Sequence, residues 1–174
     1  MNQLLNNDTI ALRALEPTDL DILYKWENDT RLWVVSDTIA PYSRQVLWQY
    51  LEAYTGDIYT QRQLRLIITL KSDGSSIGTV DFLNFDPFNN RAELGLYITS
   101  EYRGKGYGRQ ALDCITAYAR DHIGIRQLYV YISLENKTCQ HLFESYGYRR
   151  VGVLEAWVKR GSTYQDVALL QMKL

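Results

Sequence analysis

One stretch of the chain, residues 90–119, places a strand, a glycine-rich cationic loop and a helix in direct succession. The strand prediction rests on Ala92–Thr99, a run rich in apolar and aromatic side chains. The loop interleaves three glycines with cations in the run Arg103-Gly-Lys-Gly-Tyr-Gly-Arg109. The residues after the loop recur at the spacing of one helix face: Ala111, Leu112, Ile115, Tyr118, Ala119 and His122. The fold must therefore seat a loop of this kind at the start of a helix.

The loop has the chemistry of a pyrophosphate site. A helix start leaves about four backbone N–H groups without partners and carries a partial positive charge. Glycines let a phosphate approach that backbone, because no Cβ stands in the way. Arg103, Lys105 and Arg109 add full positive charges around the same point. The alternative is an ordinary glycine-rich turn before a helix.

Two familiar phosphate loops do not fit these residues. A dinucleotide fingerprint G-x-G-x-x-G that starts at Gly104 would need glycine at position 109, where the chain has Arg109. A Walker A loop would need the sequence G-K-[ST] after four spacer residues, and Gly104–Arg109 does not supply it. The pyrophosphate must belong to another kind of ligand.

Composition predicts one globular domain over residues 1–174, because hydrophobic residues make up 46% and charged residues 22% of the chain. The net charge of −1 argues against bulk binding of nucleic acid or anionic membrane. Cys114 and Cys139 lie in helical patterns without metal-ligand spacing, so we expect buried thiols and no metal. The first ten residues have neither a basic segment nor a long apolar run, and we expect a cytoplasmic protein.

Patterns along the whole chain predict a mixed α/β sheet with helices on its faces. The predicted strands are Thr9–Leu15, Leu64–Leu70, Ile77–Phe85, Ala92–Thr99, Leu128–Ser133, Arg149–Lys159 and Tyr164–Lys173. Helices are expected over Thr18–Glu27, from an N-cap at Ser43 to about Tyr54, after the glycine loop, and over Asn136–Tyr146. The segment Asn28–Tyr42 is expected to be irregular. The connection from Ala92–Thr99 through a helix to Leu128–Ser133 is a βαβ unit, which predicts a parallel strand pair.

Two motifs resemble the GCN5-related N-acetyltransferase (GNAT) family. The run Arg103–Gly108 resembles the family's R/Q-x-x-G-x-G/A acyl-CoA loop, and Asn136–Tyr148 resembles its N-x-x-[AS]-x-x-x-Y-x-x-x-G-F segment. The run RAE before EYRGKG and the closing turn R-G-x-x-Y-Q-D are similar to spermidine or diamine N-acetyltransferases and to ribosomal-protein N-terminal acetyltransferases. The resemblance covers nearly the whole chain. It implies a mixed, mostly antiparallel sheet with a central parallel pair and helices on both faces.

The resemblance also implies acetyl-CoA as the acetyl donor, bound where the parallel strands splay. Backbone groups of Leu96, Tyr97 and Ile98 would line the pantetheine and donate to the thioester oxygen. The pyrophosphate would lie on the loop residues Arg103, Gly104, Lys105, Gly106, Tyr107, Gly108 and Arg109. Asn136 would contact the pantetheine arm, act as a plain helix N-cap, or do both. The implied reaction is direct attack in a ternary complex, and no activating partner for a Cys139 nucleophile is evident.

Four residues are candidates for proton transfer, two as bases and two as acids. Glu93 and Asp81 lie on strands that lead towards the proposed cleft, and either carboxylate could take a proton from the amine. The alternative for Glu93 is an ion pair with an arginine such as Arg91. Many family members have a tyrosine at the position of Phe143, where it is read as the acid for the leaving thiolate. Phe143 has no proton to give, and we expect it to pack beside the thioester. Either Tyr146 or Tyr131 then acts as the acid, or the thiolate leaves unassisted.

Charge is distributed unevenly along the chain. Residues 16–57 contain eight acids and three bases, whereas residues 100–150 contain five acids and eight bases. An anionic cofactor on the basic side and a cationic amine on the acidic side would fit this distribution, and a solvated acidic surface is the alternative. Val34–Thr38 offers a single acid, Asp37, where polyamine enzymes carry an acidic cluster. The acceptor could be a polyamine, a protein N-terminus or an aminoglycoside-type amine; a non-catalytic acyl-CoA sensor and a homo-oligomer also stay open.

Overall fold

The structure, a computed structural model, describes residues 4–36 and 38–174. These residues form seven strands: β1 (Ile10–Ala14), β2 (Leu64–Leu70), β3 (Ser76–Asp86), β4 (Arg91–Ile98), β5 (Gln127–Ser133), β6 (Arg149–Arg160) and β7 (Thr163–Lys173). The α-helices are α1 (Leu20–Glu27), α2 (Thr30–Ser36), α3 (Arg44–Ala53), α4 (Ile58–Gln61), α5 (Tyr107–Tyr118) and α6 (Lys137–Tyr146). Short 3₁₀ turns precede α1 and α5, and the π-helical turn Ala119–Ile123 extends α5.

The strands form one sheet in the order β1-β2-β3-β4-β5-β7-β6. Neighbouring strands are antiparallel except for β4 and β5, which are parallel and joined through α5. A parallel pair needs such a crossover connection, because a tight turn can join only antiparallel strands. The prediction of a mixed, mostly antiparallel sheet with a central parallel pair is confirmed.

Helices lie on both faces of this sheet, because side chains alternate between the faces of each strand. Leu66 and Ile68 of β2 join the main core with residues of α5, whereas Ile67 between them packs with Leu23 of α1 and Leu47 of α3. Each of these side chains is at least nine-tenths buried, and burying one contributes about 1.5–3 kcal/mol. The alternation on β2 thus attaches a helix layer to each face.

Two predicted helix caps are present. The Ser43 hydroxyl accepts from the backbone N–H of Val46 at 3.1 Å, and the Asn136 carbonyl oxygen accepts from that of Cys139 at 3.2 Å. Each side chain satisfies one of the donors that a helix start leaves open. The predicted starts of α3 and α6 are confirmed.

The prediction of an irregular segment over Asn28–Tyr42 is wrong in part, because Thr30–Ser36 is the helix α2. The indole N–H of Trp33 donates to the carbonyl oxygen of Glu27 at 2.8 Å and so ties α2 to the end of α1. A helix of two turns is too short for apolar periodicity to reveal it. Asp37, the single acid of the Val34–Thr38 segment, lies outside the described residues.

Two general features of the described chain bear on function. No helix within residues 4–36 and 38–174 is long and apolar enough to cross a membrane. The same residues contain no group of three or more side chains placed to hold a metal ion.

Candidate active site

The parallel pair β4–β5 opens partway along its length. Its ladder ends at the pair Glu93–Tyr129, although β4 continues to Ile98 and β5 to Ser133, all of them described residues. The facing edges of the two strands therefore separate beyond Glu93. A cavity of about 280 Å³ lies in the opening.

Side chains from both faces of the sheet line this cavity, which we call the central cavity. Those on the side of α5 and α6 are Leu94, Leu96, Val130, Ile132, Cys139 and Phe143. Those on the opposite face are Leu83, Glu93, Gly95, Tyr131 and Ser133. The central cavity thus passes through the sheet, with an apolar side towards the helices and a more polar mouth on the other face.

The glycine loop forms the start of α5 with the geometry that its sequence requires. Gly104 and Gly106 have φ values of +73° and +83°, a region that favours glycine over other residues. Gly106 is the N-cap, and its carbonyl oxygen accepts the first helical hydrogen bond, from Gln110 N–H at 3.2 Å. A glycine cap has no side chain to occupy the free N–H groups at the helix start. Those groups are therefore left for a ligand.

Gly108 connects the loop to the central cavity. A Cβ at this position would lie 3.2 Å from Cδ2 of Leu142 and 3.7 Å from Cδ2 of Leu96, which lines the cavity. Gly108 is thus required because a side chain there would crowd its neighbours, whereas Gly104 and Gly106 are required because their backbone has a positive φ. The absence of a side chain at Gly108 lets α5 pack close to β4 and to α6. The start of α5 therefore lies next to the cavity.

The three cations of the loop are held at its rim by neighbouring groups. Arg103 Nε donates to the carbonyl oxygen of Ile98 at 2.8 Å. Lys105 Nζ lies 5.1 Å from the ring centre of Tyr102, and the Arg109 guanidinium lies 5.4 Å from that of Tyr146. All three cations are exposed. Contacts with carbonyl oxygens and rings orient these groups without neutralising them, so their positive charge is available to an anion.

Glu93 stands at the mouth of the central cavity. Asn84 Nδ2 donates to its carboxylate at 2.8 Å. Asn84 adopts a φ of +49° where the register between β3 and β4 shifts, and this irregularity turns its side chain towards Glu93. Arg91 forms an ion pair with Asp86 at 3.2 Å. Glu93 is the candidate base that the structure brings to the cavity.

Asp81, the second candidate base, is not among the residues that line the central cavity. Its carboxylate is buried beside Arg65, with Nε to Oδ1 at 3.0 Å, and the same arginine reaches Glu27 at 2.7 Å. Burial raises the pKa of Asp81, and the positive charge of Arg65 opposes that shift. A carboxylate held in a buried ion pair is poorly placed to exchange protons with a substrate. We therefore leave Asp81 out of the proposed mechanism.

Tyr146 likewise lies away from the central cavity. Its hydroxyl faces Thr116 and Asp113 on α5, and burial raises the pKa of the phenol. Tyr131 does line the cavity, is 41% exposed, and stacks edge-on against Tyr129 at 5.8 Å. Between the two candidate acids, the structure brings only Tyr131 to the site.

The remaining predicted contacts divide between the cavity wall and the surrounding core. Leu96, Asn136 and Phe143 line the cavity, and Phe143 is buried with its ring edge-on to Tyr148 at 4.9 Å. The side chain of Tyr97 points away and packs edge-on against Trp26, and Ile98 joins the main core.

Cys139 also lines the cavity, but burial raises the pKa of its thiol to about 11. A thiol with that pKa is almost entirely protonated at neutral pH and makes a poor nucleophile.

Four cavity residues from the closing hairpin escaped the sequence-based assignment: Trp157, Val158 and Arg160 of β6 and Val167 of β7. Arg160 Nε is buried without a hydrogen-bond partner among the described residues. Trp157 follows a bulge at which Ala156 adopts a φ of +47° and donates its N–H to Asp166 Oδ1 at 2.8 Å. The closing R-G-x-x-Y-Q-D turn was the available signal, because it marks this hairpin as part of the family pattern.

Comparison with known proteins agrees with this geometry. Residues 9–149 match the acetyltransferase (GNAT) domain family. Spermidine N(1)-acetyltransferase of Vibrio cholerae is 25% identical over 164 residues, which cover 92% of this chain and 91% of the relative. A crystal structure of spermidine N-acetyltransferase from Vibrio cholerae in complex with CoA and spermine has a TM-score of 0.86 at 23% identity, with 96% of each chain covered. A dodecameric structure of that enzyme has a TM-score of 0.79 at 24% identity and covers 96% of this chain and 95% of the other.

The seven-stranded mixed sheet gives this chain the overall fold of the spermidine N-acetyltransferase structures. Because the family match extends over most of the sequence, the chain belongs to the GNAT acetyltransferase family. It is an N-acetyltransferase with acetyl-CoA as the acetyl donor.

Proposed function

We propose that this protein transfers an acetyl group from acetyl-CoA to a primary amine by direct attack of the amine, with Glu93 as the base. The observation that carries the proposal is the central cavity, which passes through the sheet between an apolar side and a mouth that contains Glu93. A donor on the helix side and an acceptor on the other face would meet in this cavity.

The donor side fits an anionic molecule with a long, mostly apolar arm. Acetyl-CoA supplies an acetyl group as a thioester. Arg103, Lys105 and Arg109 provide positive charge for its phosphates, next to the open N–H groups of the α5 start. Leu96 and Asn136 line the cavity and would contact the arm. Orientation of the arm along β4 would leave the thioester near the point where the strands part.

On the acceptor side, the residues of this chain must remove a proton. A primary amine arrives mostly as an ammonium ion at neutral pH, and only its neutral form attacks a carbonyl carbon. Glu93 attracts the ammonium and accepts its proton, directly or through a water molecule. The hydrogen bond from Asn84 fixes the carboxylate at the cavity mouth. The acceptor is therefore cationic at least at its reacting group.

Negative charge develops first on the carbonyl oxygen and then on the departing sulfur. The edge of β4 beyond Glu93 lies outside the β5 ladder, so its backbone N–H groups can donate to the oxygen. Tyr131, whose side chain lines the cavity, would protonate the sulfur. The need for that proton is modest, because thiols have a pKa of about 8.5 in water. Phe143 takes no part in proton transfer and only shields the site from water.

Among acceptors, the relatives favour a polyamine, since the Vibrio cholerae enzyme is named for spermidine and was solved with spermine. A protein N-terminus and an aminoglycoside-type amine are the other candidates. A single domain over residues 1–174, a cytoplasmic location and a homo-oligomer stay predictions. A dodecameric structure of the Vibrio cholerae enzyme supports the last of these.

The test is turnover of acetyl-CoA against a panel of spermidine, aminoglycosides, amino acids and peptides. Released thiol and acetylated amine are quantified together, and we expect equal amounts of both with at least one amine. Tight binding of CoA with no acetylated amine across the panel would refute the enzyme and favour an acyl-CoA sensor.

A further inference from the structure

The closing hairpin of β6 and β7 brings an arginine to the central cavity. Val158 and Arg160 of β6 both line that cavity. They are two positions apart, so strand alternation directs both side chains to the same face of the hairpin. The register shift between Leu154 and Val158 lies just before this segment, and an irregularity of this kind bends a strand. Arg160 therefore projects from the bent end of β6 towards the cavity.

The backbone of Arg160 is held by the other strand of the hairpin. Arg160 is paired with Thr163 in the ladder between β6 and β7. The Thr163 hydroxyl also donates to the carbonyl oxygen of Arg160 at 3.0 Å. The guanidinium thus extends from a fixed point beside the turn.

This guanidinium has hydrogen-bonding capacity that the described chain does not use. Its Nε–H is buried and has no hydrogen-bond partner among the described residues. One terminal nitrogen donates to the carbonyl oxygen of Lys159, its neighbour in the chain, at 3.0 Å. Arg160 forms no ion pair with any described residue. An unused donor on a buried charged group costs free energy, so its position indicates a ligand group in the cavity.

The charges on the described wall of the cavity are those of Glu93 and Arg160. Tyr131 and Cys139 are the other titratable residues of that wall. Burial raises the pKa of the Cys139 thiol to about 11, so this thiol stays neutral at physiological pH. An arginine keeps its charge at any pH that a protein tolerates. Arg160 therefore supplies the positive charge of the described wall, and Glu93 supplies the negative charge at the mouth.

Acetyl transfer develops negative charge on two atoms, and the proposed site provides for them unequally. Backbone N–H groups at the edge of β4 serve the carbonyl oxygen. The sulfur receives no hydroxyl from α6, because Phe143 lines the cavity there. A sphere of the cavity's volume, about 280 Å³, has a radius of about 4 Å. An opposite charge at about 4–6 Å strongly favours the ionised form of a group, so a guanidinium on this wall can stabilise a thiolate inside it.

We infer that Arg160 is a catalytic residue that stabilises the sulfur of CoA as a thiolate when the carbon–sulfur bond breaks. The inference rests on the proposed function for the position of the thioester. As the amine nitrogen bonds to the carbonyl carbon, the electron pair of the carbon–sulfur bond moves to the sulfur and Glu93 takes the proton of the amine. Arg160 holds the resulting anion, and Tyr131 or water gives it a proton afterwards. A site with Phe143 then works without an acid on α6.

The experiment compares the affinities of CoA and desulfo-CoA, in which hydrogen replaces the thiol group, by calorimetry. A cation beside the sulfur lowers the pKa of the bound thiol below its ordinary value of about 8.5. Binding then favours the thiolate, so the affinity of CoA relative to desulfo-CoA should rise with pH. For a lowering of about one unit, the ratio of the two association constants should rise about tenfold between about pH 6.5 and about pH 9.5. This readout needs no amine acceptor and no turnover.

Variants of two neighbouring cations assign the effect to one residue. Arg160→Gln should abolish the rise, because glutamine has no charge, and Arg160→Lys should retain part of it. Lys159→Gln removes the same charge from an exposed residue that does not line the cavity, and it should keep the full rise. Wild-type affinity for desulfo-CoA at about pH 6.5 shows that a variant is folded with its donor site intact.

The remaining outcomes separate this inference from the proposed function. A ratio that stays constant with pH in the wild type would overturn the role of Arg160, and turnover of an amine alongside it would leave the enzyme intact. A rise that Lys159→Gln removes as fully as Arg160→Gln would also overturn it, since the effect would then belong to the general charge of the hairpin. The expected rise, lost only on substitution of Arg160 but without acetylation of any amine in the panel, would support Arg160 and refute the enzyme.

Discussion

Gly106 offers a sharp test of the donor site because the chain contains a matched control. We compare Gly106→Ala and Gly106→Val with Gly74→Ala. Gly106 and Gly74 have φ values of +83° and +74°, and in neither case would a Cβ meet any atom within 4 Å. Strain in the left-handed region is therefore the shared cost, about 1–2 kcal/mol for each alanine. Only Gly106 lies at the N-cap of α5.

Urea unfolding should show similar losses of stability for the two alanine variants. Affinity for CoA, measured by calorimetry on the folded proteins, should separate them. Gly74→Ala should bind as the wild type does. Gly106→Val should bind at least tenfold more weakly, a loss of about 1.4 kcal/mol, because its side chain stands where a phosphate approaches the backbone. A folded Gly106→Val with unchanged affinity would refute the pyrophosphate site.

Three further predictions concern the surroundings of the cavity. Phe143→Tyr should change turnover less than about threefold and lower stability, because it buries a hydroxyl against Tyr148; a hundredfold rise would mean that the native site lacks an acid it needs. Asp81→Asn should cost about 3 kcal/mol in unfolding free energy by leaving Arg65 underpaired, yet preserve the pH profile of turnover in the folded fraction. Asp19→Asn should cost about 2 kcal/mol at pH 7. Burial raises the pKa of Asp19, but hydrogen bonds from its partners outweigh burial and lower it below the ordinary value of 3.8; the difference from wild type should persist above that pH and vanish as the pH falls below it, in urea titrations across the range.

The strands of the sheet could be predicted from the sequence because each is marked by the residue types within its own segment. Leu64–Leu70 is a run of apolar and β-branched residues, and the structure has the strand at those bounds. Asn136 and Ser43 predicted the starts of their helices, because each is a residue type favoured at the N-cap and bonds to a backbone N–H three residues later. The short helix α2 was missed because two turns give no measurable periodicity.

The chemistry of the site was harder to read, since it depends on contacts between distant parts of the chain. Nothing near Asp81 in the sequence shows that Arg65 will hold it in an ion pair. Tyr146 follows Phe143 by three residues, a step of about 60° around a helix axis, and that rotation carries its hydroxyl to α5 and away from the cavity. Trp157 reaches the cavity only through the bulge on β6.

The most direct test of the account is the pH dependence of kcat/KM for wild type and Glu93→Gln on the best amine of the panel. If Glu93 removes the proton at the cavity mouth, the variant should lose about 10²–10⁴-fold at pH 7. Much of that loss should be recovered at high pH, where more of the amine is already neutral. A variant that follows the wild-type profile at every pH would contradict the assignment of the acceptor site to this face of the sheet.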